Sequence, residues 1–506
     1  MSALGNSKII AVVGAGAMGS GIAQVAAKAG HPVLLYDVGP GAAQSGIDKI
    51  ANGLAKLVER GRMDKAERSA LLARISIAED LAQLAPAALV IEAIVEKLEV
   101  KQQVFAELER ICDDDVILAS NTSSISITAI GAGLARPERL LGMHFFNPAP
   151  IMKLVEIISG LATDPDLAES IYATAENWGK LVVHARSTPG FIVNRVARPF
   201  YAEGLRLLQE GAADVATIDA ILRDCGGFRM GPFELMDLIG HDVNYAVTAS
   251  VHQAYYGDQR FTPSLLQKEL VDGGFLGIKS GRGFYLHGAG VVKPAAAACD
   301  KRAAPDSVIL QGEAPFREVL NSMLADAGIA VEQQPGDSFA ILCGGAMLCQ
   351  TDGRMATVRA LEDDIDNLVL FDLALDYQQT PRIAVTKADN TSEAIFDAAV
   401  GLLQKIGKQV SQIDDVAGLC VMRTVCMLAN EAADAVNQQV CNAAAVDIAM
   451  QGGLNYPAGP LAWADAIGLD MVLEVLDNLG QNYGEDRYRP SPLLIRRVAA
   501  GSNFHD

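Results

Sequence analysis

The chain has 506 residues, half of them apolar, with 61 acidic against 41 basic side chains and a net charge of −20. That length exceeds what one hydrophobic core organises and calls for several domains, while the acidic balance argues against nucleic acid, whose phosphates need a basic surface. The eight cysteines form no C-x-x-C pair, which points to reduced thiols in a cytoplasmic protein and to no metal site; neither a leader peptide nor a membrane span is expected.

Residues 8–37 read as a strand, a glycine turn, a helix and a second strand. Ile9-Ile10-Ala11-Val12-Val13 is apolar, Gly14-Ala15-Gly16-Ala17-Met18-Gly19 supplies G-x-G-x-x-G, residues 20–28 are helix-compatible, and Pro32-Val33-Leu34-Leu35-Tyr36-Asp37 ends in an acid. In that context the glycines form a dinucleotide-binding fingerprint. Gly14 makes the tight turn, Gly16 lets the backbone approach a pyrophosphate, and Gly19 lets the helix pack close to the strand. Ala17 and Met18 complete the loop at the helix N-terminus, where unpaired amides and the dipole favour phosphates. Asp37 is placed to accept hydrogen bonds from the adenosine ribose. No Arg follows it in Val38-Gly39-Pro40, so NAD is expected rather than NADP.

A long polar helical region over residues 41–78 follows. It carries Lys49, Lys56, Arg60, Arg62 and Lys65, either a solvated face or a local basic cluster for an anionic ligand. Further strands are predicted at Ala88-Leu89-Val90-Ile91, Val116-Ile117-Leu118-Ala119 and Leu140-Leu141-Gly142-Met143. Short apolar strands alternating with helices indicate a parallel sheet covered on both faces. After Thr188-Pro189-Gly190 the pattern turns to long helices, over residues 191–209, 215–224 and beyond Gly240. Residues 287–305 are rich in Ala, Gly and Pro and read as a linker.

The second half repeats the first at a constant offset of 228 residues. Pro189-Gly190-Phe191-Ile192-Val193-Asn194-Arg195 matches Ala417-Gly418-Leu419-Cys420-Val421-Met422-Arg423, and the register carries Glu203 to Glu431, Asp219 to Asp447 and Gly231-Pro232 to Gly459-Pro460. Residues 307–412 alternate strand and helix without G-x-G-x-x-G. They are expected to be a shortened nucleotide fold that has lost its cofactor. The predicted division is a nucleotide-binding domain over 1–186, a helical domain over 187–288, a linker over 289–306, the shortened domain over 307–412 and a second helical copy over 413–506.

Ser120-Asn121-Thr122-Ser123-Ser124, His144-Phe145-Phe146-Asn147-Pro148 with Lys153-Leu154-Val155-Glu156, and the 189–195 segment, taken with the fingerprint, resemble the L-3-hydroxyacyl-CoA dehydrogenase family. The likeness runs over about residues 8–285 and, through the repeat, towards the C-terminus. It implies an α/β Rossmann domain followed by all-α C-terminal domains, with the degenerate α/β domain between the two helical copies.

Oxidation of a secondary alcohol needs a proton acceptor on the hydroxyl while hydride leaves the same carbon, and imidazole suits that task near neutrality. The resemblance assigns His144 as the base, Glu156 as the carboxylate on its other ring nitrogen, and Ser123 and Asn194 as groups beside substrate hydroxyl and nicotinamide. It further implies Glu96, Lys101, Asn147 and Lys279, with Ser123, as cofactor contacts. Lys56 and Arg60 are candidates for the phosphates of coenzyme A. In the second copy, Asp372, Ala384 and Met422 replace His144, Glu156 and Asn194, so one active site per chain is expected. The implied reaction is oxidation of (3S)-3-hydroxyacyl-CoA to 3-oxoacyl-CoA. The tandem helical copies resemble the long bacterial branch of phenylacetate catabolism, whose substrate is similar to 3-hydroxyadipyl-CoA. Alternatives are a 3-hydroxybutyryl-CoA enzyme, a sugar-acid dehydrogenase and a non-catalytic NAD-binding relative. The second helical copy is expected to supply a dimer-like interface within the chain; further homo-oligomerisation stays open.

Overall fold

The computed structural model describes residues 2–506. Strands β1 (Ile10–Val13), β2 (Val33–Tyr36), β3 (Ile75–Ile77), β4 (Leu89–Glu92), β5 (Ile117–Ser120), β6 (Leu140–Phe145), β7 (Leu154–Ser159) and β8 (Leu181–Arg186) form one sheet in the order β3-β2-β1-β4-β5-β6-β7-β8. Every residue of β1, β4, β5 and β6 is buried, because helices cover both faces and each strand must be apolar on both sides. The strand order reverses between β1 and β4, which opens a crevice at the carboxyl ends of the strands. Helices α1 (Ala17–Lys28), α2 (Ala42–Glu59) and α3 (Leu98–Ile111) lie in this part of the chain.

Two expectations need correction. The helical region over 41–78 is α2, a second helix over Lys65–Leu72 and then β3; Asp64 starts the second helix by accepting from the Glu67 amide at 2.6 Å, a cap that separates it from α2. The sheet is also not wholly parallel. It runs parallel from β3 to β6, but β7 is antiparallel to β6, with His144 opposite Glu156.

The predicted helix over 191–209 is interrupted. Phe191 adopts φ 48°, a four-residue turn α4 (Val193–Val196) follows, and α5 (Arg198–Gln209) begins with Pro199 in its first turn, where its missing N–H costs no bond, whereas in a helix running unbroken from residue 191 it would. Leu419, at the repeat offset, has φ 49°. Helices α6 (Val215–Asp224) and α7 (Leu265–Asp272) also belong to the first helical segment, with helices over Pro232–Ile239 and His241–Ala254 between them.

Strands β9 (Ser307–Gln311), β10 (Ala330–Gln334), β11 (Ala340–Cys343), β12 (Ala346–Gln350), β13 (Leu368–Phe371), β14 (Arg382–Lys387) and β15 (Gln409–Gln412) form a second sheet in the order β10-β9-β11-β12-β13-β14-β15. β13 and β14 pair antiparallel as β6 and β7 do, and the Asp372 amide donates to Ala384 O at 3.0 Å. Asp372 and Ala384 thus take the paired positions of His144 and Glu156. Helices α8 (Val421–Asn437) and α9 (Ala443–Leu454) follow.

The chain divides into two compact units: residues up to Arg195 with Gln438–Leu454, and Val196–Asn437 with Asn455–Asp506. The division cuts across the repeat, because equivalent helices are exchanged. In the first unit α9, from the second copy, packs on β7 and β8 of the first sheet. In the second unit α6, from the first copy, packs on β14 of the second sheet. Two backbone bonds repeat this exchange: the Arg186 amide donates to Val440 O, and the Asp414 amide donates to Ala212 O, both at 2.9 Å. Within the second unit α8 is buried from Val421 to Ala435 and packs against α5, where Arg423 Nε donates to Glu203 Oε2 at 2.5 Å. A helix buried all round needs such internal pairing for its charged groups.

Candidate active site

The glycine loop joins β1 to α1. A Cβ on Gly14, at φ 103°, would lie 2.5 Å from Ala93 O, and one on Gly19 would lie 1.8 Å from Gly14 O, so neither position admits a side chain. A Cβ on Gly16 would meet nothing within 4 Å; this is open space at the N-cap of α1, whose first turn holds no acid. Ala17 and Met18 open the same turn. Asp37, just beyond β2, accepts from the Ala15 amide at 2.7 Å through Oδ2 and from the Gly39 amide at 2.8 Å through Oδ1. The acid therefore braces the loop and retains acceptor capacity on both oxygens. A bare helix N-terminus, a backbone without a side chain and an acid beside it fit a dinucleotide with its pyrophosphate over Gly16 and its ribose at Asp37.

His144 is buried near the carboxyl end of β6. Its Nδ1 lies 2.6 Å from Glu156 Oε2, and its ring packs against Phe146 and Phe191 at 4.5 and 5.8 Å. Glu156 is 0% exposed, and its Oε1 accepts from the Ile192 and Val193 amides at 3.0 and 3.1 Å. Because a carboxylate oxygen only accepts, Nδ1 is the donor of this bond, which leaves Nε2 as the ring nitrogen not engaged by Glu156. Ser123 and Asn194 come together, with Asn194 Nδ2 donating to Ser123 O at 3.4 Å. Asn147 is exposed at the end of β6.

Glu96 holds the serine loop. Its Oε1 accepts from Thr122 Oγ1 at 2.6 Å and from the Ser123 and Ser124 amides at 2.9 and 3.2 Å. Burial would raise the Glu96 carboxyl, but the Lys101 charge and the bonds from Thr122 and Ser123 outweigh it and hold the group below its ordinary value.

Lys101 is placed differently from a surface cofactor contact. Only 1% exposed, it donates to Glu92 Oε1 at 2.6 Å and pairs with Glu96 Oε2 at 3.2 Å, because a buried carboxylate at the end of β4 draws the ammonium inward. Lys279 belongs to the second unit and pairs there with Asp242. Lys56 and Arg60 are exposed near the end of α2.

Three residues escaped the sequence reading. Glu92 is 0% exposed and also accepts from Ser120 Oγ at 2.7 Å; an acid closing the apolar run Leu89-Val90-Ile91 is the signal that could have found it. Asn121 Oδ1 accepts from the Phe145 amide at 2.8 Å, tying the serine loop to the strand of His144. Lys180 Nζ donates to Ala149 O at 2.5 Å and Met152 O at 2.8 Å, fixing the loop after Asn147. Burial, with the nearby Lys28 charge, pushes the Lys180 ammonium down to about 8. The second copy repeats the device, with Lys408 Nζ donating to Thr380 O at 2.6 Å.

No equivalent of the His–Glu pair exists around Asp372. Its Oδ2 accepts from the Cys420 and Val421 amides at 2.9 and 2.7 Å, and its Oδ1 from the Met422 amide at 2.9 Å. Asp352 in the matching serine region is engaged by Arg354 and Arg359. Among the described residues no group of His, Cys, Asp and Glu could hold a metal ion, and no helix is long and apolar enough to cross a membrane.

Fold and cofactor loop define a dinucleotide-dependent oxidoreductase. Residues 9–188 match the profile of the 3-hydroxyacyl-CoA dehydrogenase NAD-binding domain, residues 190–287 and 418–504 that of the 3-hydroxyacyl-CoA dehydrogenase C-terminal domain, and residues 348–416 the 3-hydroxybutyryl-CoA dehydrogenase reduced Rossmann-fold domain. The chain is 44% identical to the 3-hydroxyadipyl-CoA dehydrogenase of Escherichia coli K12 over 499 residues, 99% of each chain. It is 42% identical to the 3-hydroxybutyryl-CoA dehydrogenase of Bradyrhizobium diazoefficiens over 278 residues, 55% of this chain and 94% of that one. A crystal structure described as 3-hydroxybutyryl-CoA dehydrogenase from Escherichia coli K12 superposes with a TM-score of 0.89 at 42% identity, covering 98% of this chain and 99% of that one. The chain belongs to the 3-hydroxyacyl-CoA dehydrogenase family, NAD-dependent oxidoreductases acting on a CH–OH group.

Proposed function

We propose that the chain oxidises a (3S)-3-hydroxyacyl-CoA at His144 and that its preferred substrate is a 3-hydroxyadipyl-CoA, as in phenylacetate catabolism. The observation that carries the reaction is the buried His144–Glu156 pair at 2.6 Å, with the serine loop tied to the same strand. The similarity over 99% of both chains to an enzyme named for 3-hydroxyadipyl-CoA supports the substrate. A 3-hydroxybutyryl-CoA preference is the second reading, favoured by the description of the structural relative.

In this reading His144 Nε2 takes the hydroxyl proton as C3 loses hydride, and the Glu156 charge stabilises the imidazolium as it forms. Ser123 and Asn194 align the alcohol and stabilise the developing oxygen charge. Bound NAD supplies the hydride acceptor, held by the Gly14–Gly19 loop and Asp37, with Glu96 and Asn147 as further contacts and Lys101 acting through Glu96. Lys56 and Arg60, both exposed, are candidate partners for CoA phosphates. The predicted domain limits are part of the proposal, as is a cytoplasmic location, supported by eight free cysteines. The exchanged helices α6 and α9 support the view that the second helical copy supplies a dimer-like interface within the chain.

The test is NADH formation with a panel of (3S)-3-hydroxyacyl-CoAs, dicarboxylic and monocarboxylic. Highest kcat/KM is expected for 3-hydroxyadipyl-CoA; a preference for 3-hydroxybutyryl-CoA selects the second reading. Activity confined to free hydroxy acids rejects both.

A further inference from the structure

The second unit contains a cavity of about 180 Å³ lined by Arg198, Arg206, Arg260 and Arg487 and by no carboxylate. In a chain of net charge −20 that grouping is unexpected. Three of the four have anionic neighbours: Arg206 meets Glu485 at 2.7 Å, Arg260 meets Asp434 and Glu431, and Arg487 Nε lies 3.6 Å from Glu485. Arg198 has none. It is 5% exposed, its Nη1 donates to Thr248 Oγ1 at 3.0 Å, its guanidinium lies over the Tyr201 ring at 4.8 Å, and its buried Nε has no partner. Guanidinium does not deprotonate in proteins, so this is a buried cation without a counter-ion, an arrangement that proteins otherwise avoid.

A second feature faces the same space. The cavity wall includes Thr262, Pro263, Ser264 and Leu265 at the start of α7. Ser264 caps the Gln267 amide, and the first turn carries no acid, so the positive end of the helix dipole is uncompensated there.

We propose that this cavity binds a small oxyanion of the phosphate class between the Arg198 guanidinium and the N-terminus of α7. The site shares no residue with the glycine loop or the His144 cluster. The ligand is a free phosphate-sized ion, which would complete the charge balance between α5 and α7. Arg198, rather than the three paired arginines, determines binding.

Phosphorus-31 NMR on the full chain tests this, with inorganic phosphate titrated while NAD and coenzyme A are saturating, so that their own phosphate sites are filled. One saturable site per chain is expected, and Arg198→Met should weaken it by about tenfold or more, the effect of losing a charged hydrogen-bond partner. Should Arg198→Met fail to fold, Arg198→Lys, which keeps the charge but loses Nε and the planar fork, is measured instead with weaker binding expected. No saturable binding, unchanged affinity in the Arg198 variant, or full displacement by equimolar acetate at matched ionic strength would each overturn the proposal.

Discussion

Glu156 and Asp372 cap equivalent backbone amides in the two halves of the repeat. Glu156 reaches Ile192 and Val193 from β7, whereas Asp372 reaches Cys420 and Val421 from the position that His144 occupies in the first copy. Where the base is absent, a shorter acid on the neighbouring strand serves the turn directly, and Ala384 fills the vacated position. Glu156 therefore has two separable tasks, anchoring the turn through Oε1 and holding His144 through Oε2.

Substitutions at Glu156 should separate these tasks. Glu156→Ala leaves two buried amides without an acceptor, at about 1–3 kcal/mol each, and should lower the unfolding free energy as well as kcat. Glu156→Gln keeps an oxygen for the amides and loses the charge facing the imidazole, so kcat should fall with a much smaller loss of stability. Chemical denaturation alongside steady-state kinetics checks this; equal destabilisation by both variants would contradict it.

Lys180 makes stability depend on alkaline pH. Its ammonium is depressed from 10.5 to about 8 by burial, so below pH 8 it is charged in both folded and unfolded chains and the folded state bears the full burial penalty. Between about pH 8 and 10.5 the folded chain loses the proton first, which relieves that penalty. Wild type should therefore gain stability relative to Lys180→Met across this window, as read by denaturant midpoints at several pH values. A constant difference would refute the assignment.

Cofactor stoichiometry distinguishes the two sheets. The second contains no G-x-G-x-x-G, and calorimetry should find one NAD per chain. Asp37→Ala should raise the KM for NAD and narrow its preference over NADP, since the acid both braces Ala15 and is placed at the ribose. Two NAD per chain, or unchanged discrimination in Asp37→Ala, would count against this placement.

Much of this was legible because it lies in local patterns. The β1–loop–α1–β2 segment declares itself through glycines whose side chains have no room, and the 228-residue register persists in the pairing of Asp372 with Ala384 and in the matched backbone of Phe191 and Leu419. What stayed hidden depends on three-dimensional neighbours. Lys101 looks like any charged residue on an amphipathic helix until Glu92 is found beneath it. The reversal of β7 is invisible because a strand buried on both faces has the same composition in either direction. The sequence showed that Asp372 replaces His144, but not that its carboxylate assumes the capping task of Glu156, which requires knowing where the 420–422 amides point. The exchange of α6 and α9 could not be read either, since helices of one repeat have the same pattern whichever sheet they cover.

The most direct measurement is single-turnover NADH formation by His144→Ala with saturating 3-hydroxyacyl-CoA, beside its NAD affinity. The rate should fall by about two to four orders of magnitude, the range for loss of a general base, while NAD binds as in wild type. A near-normal rate with NAD binding intact would contradict the assignment of His144 as the base.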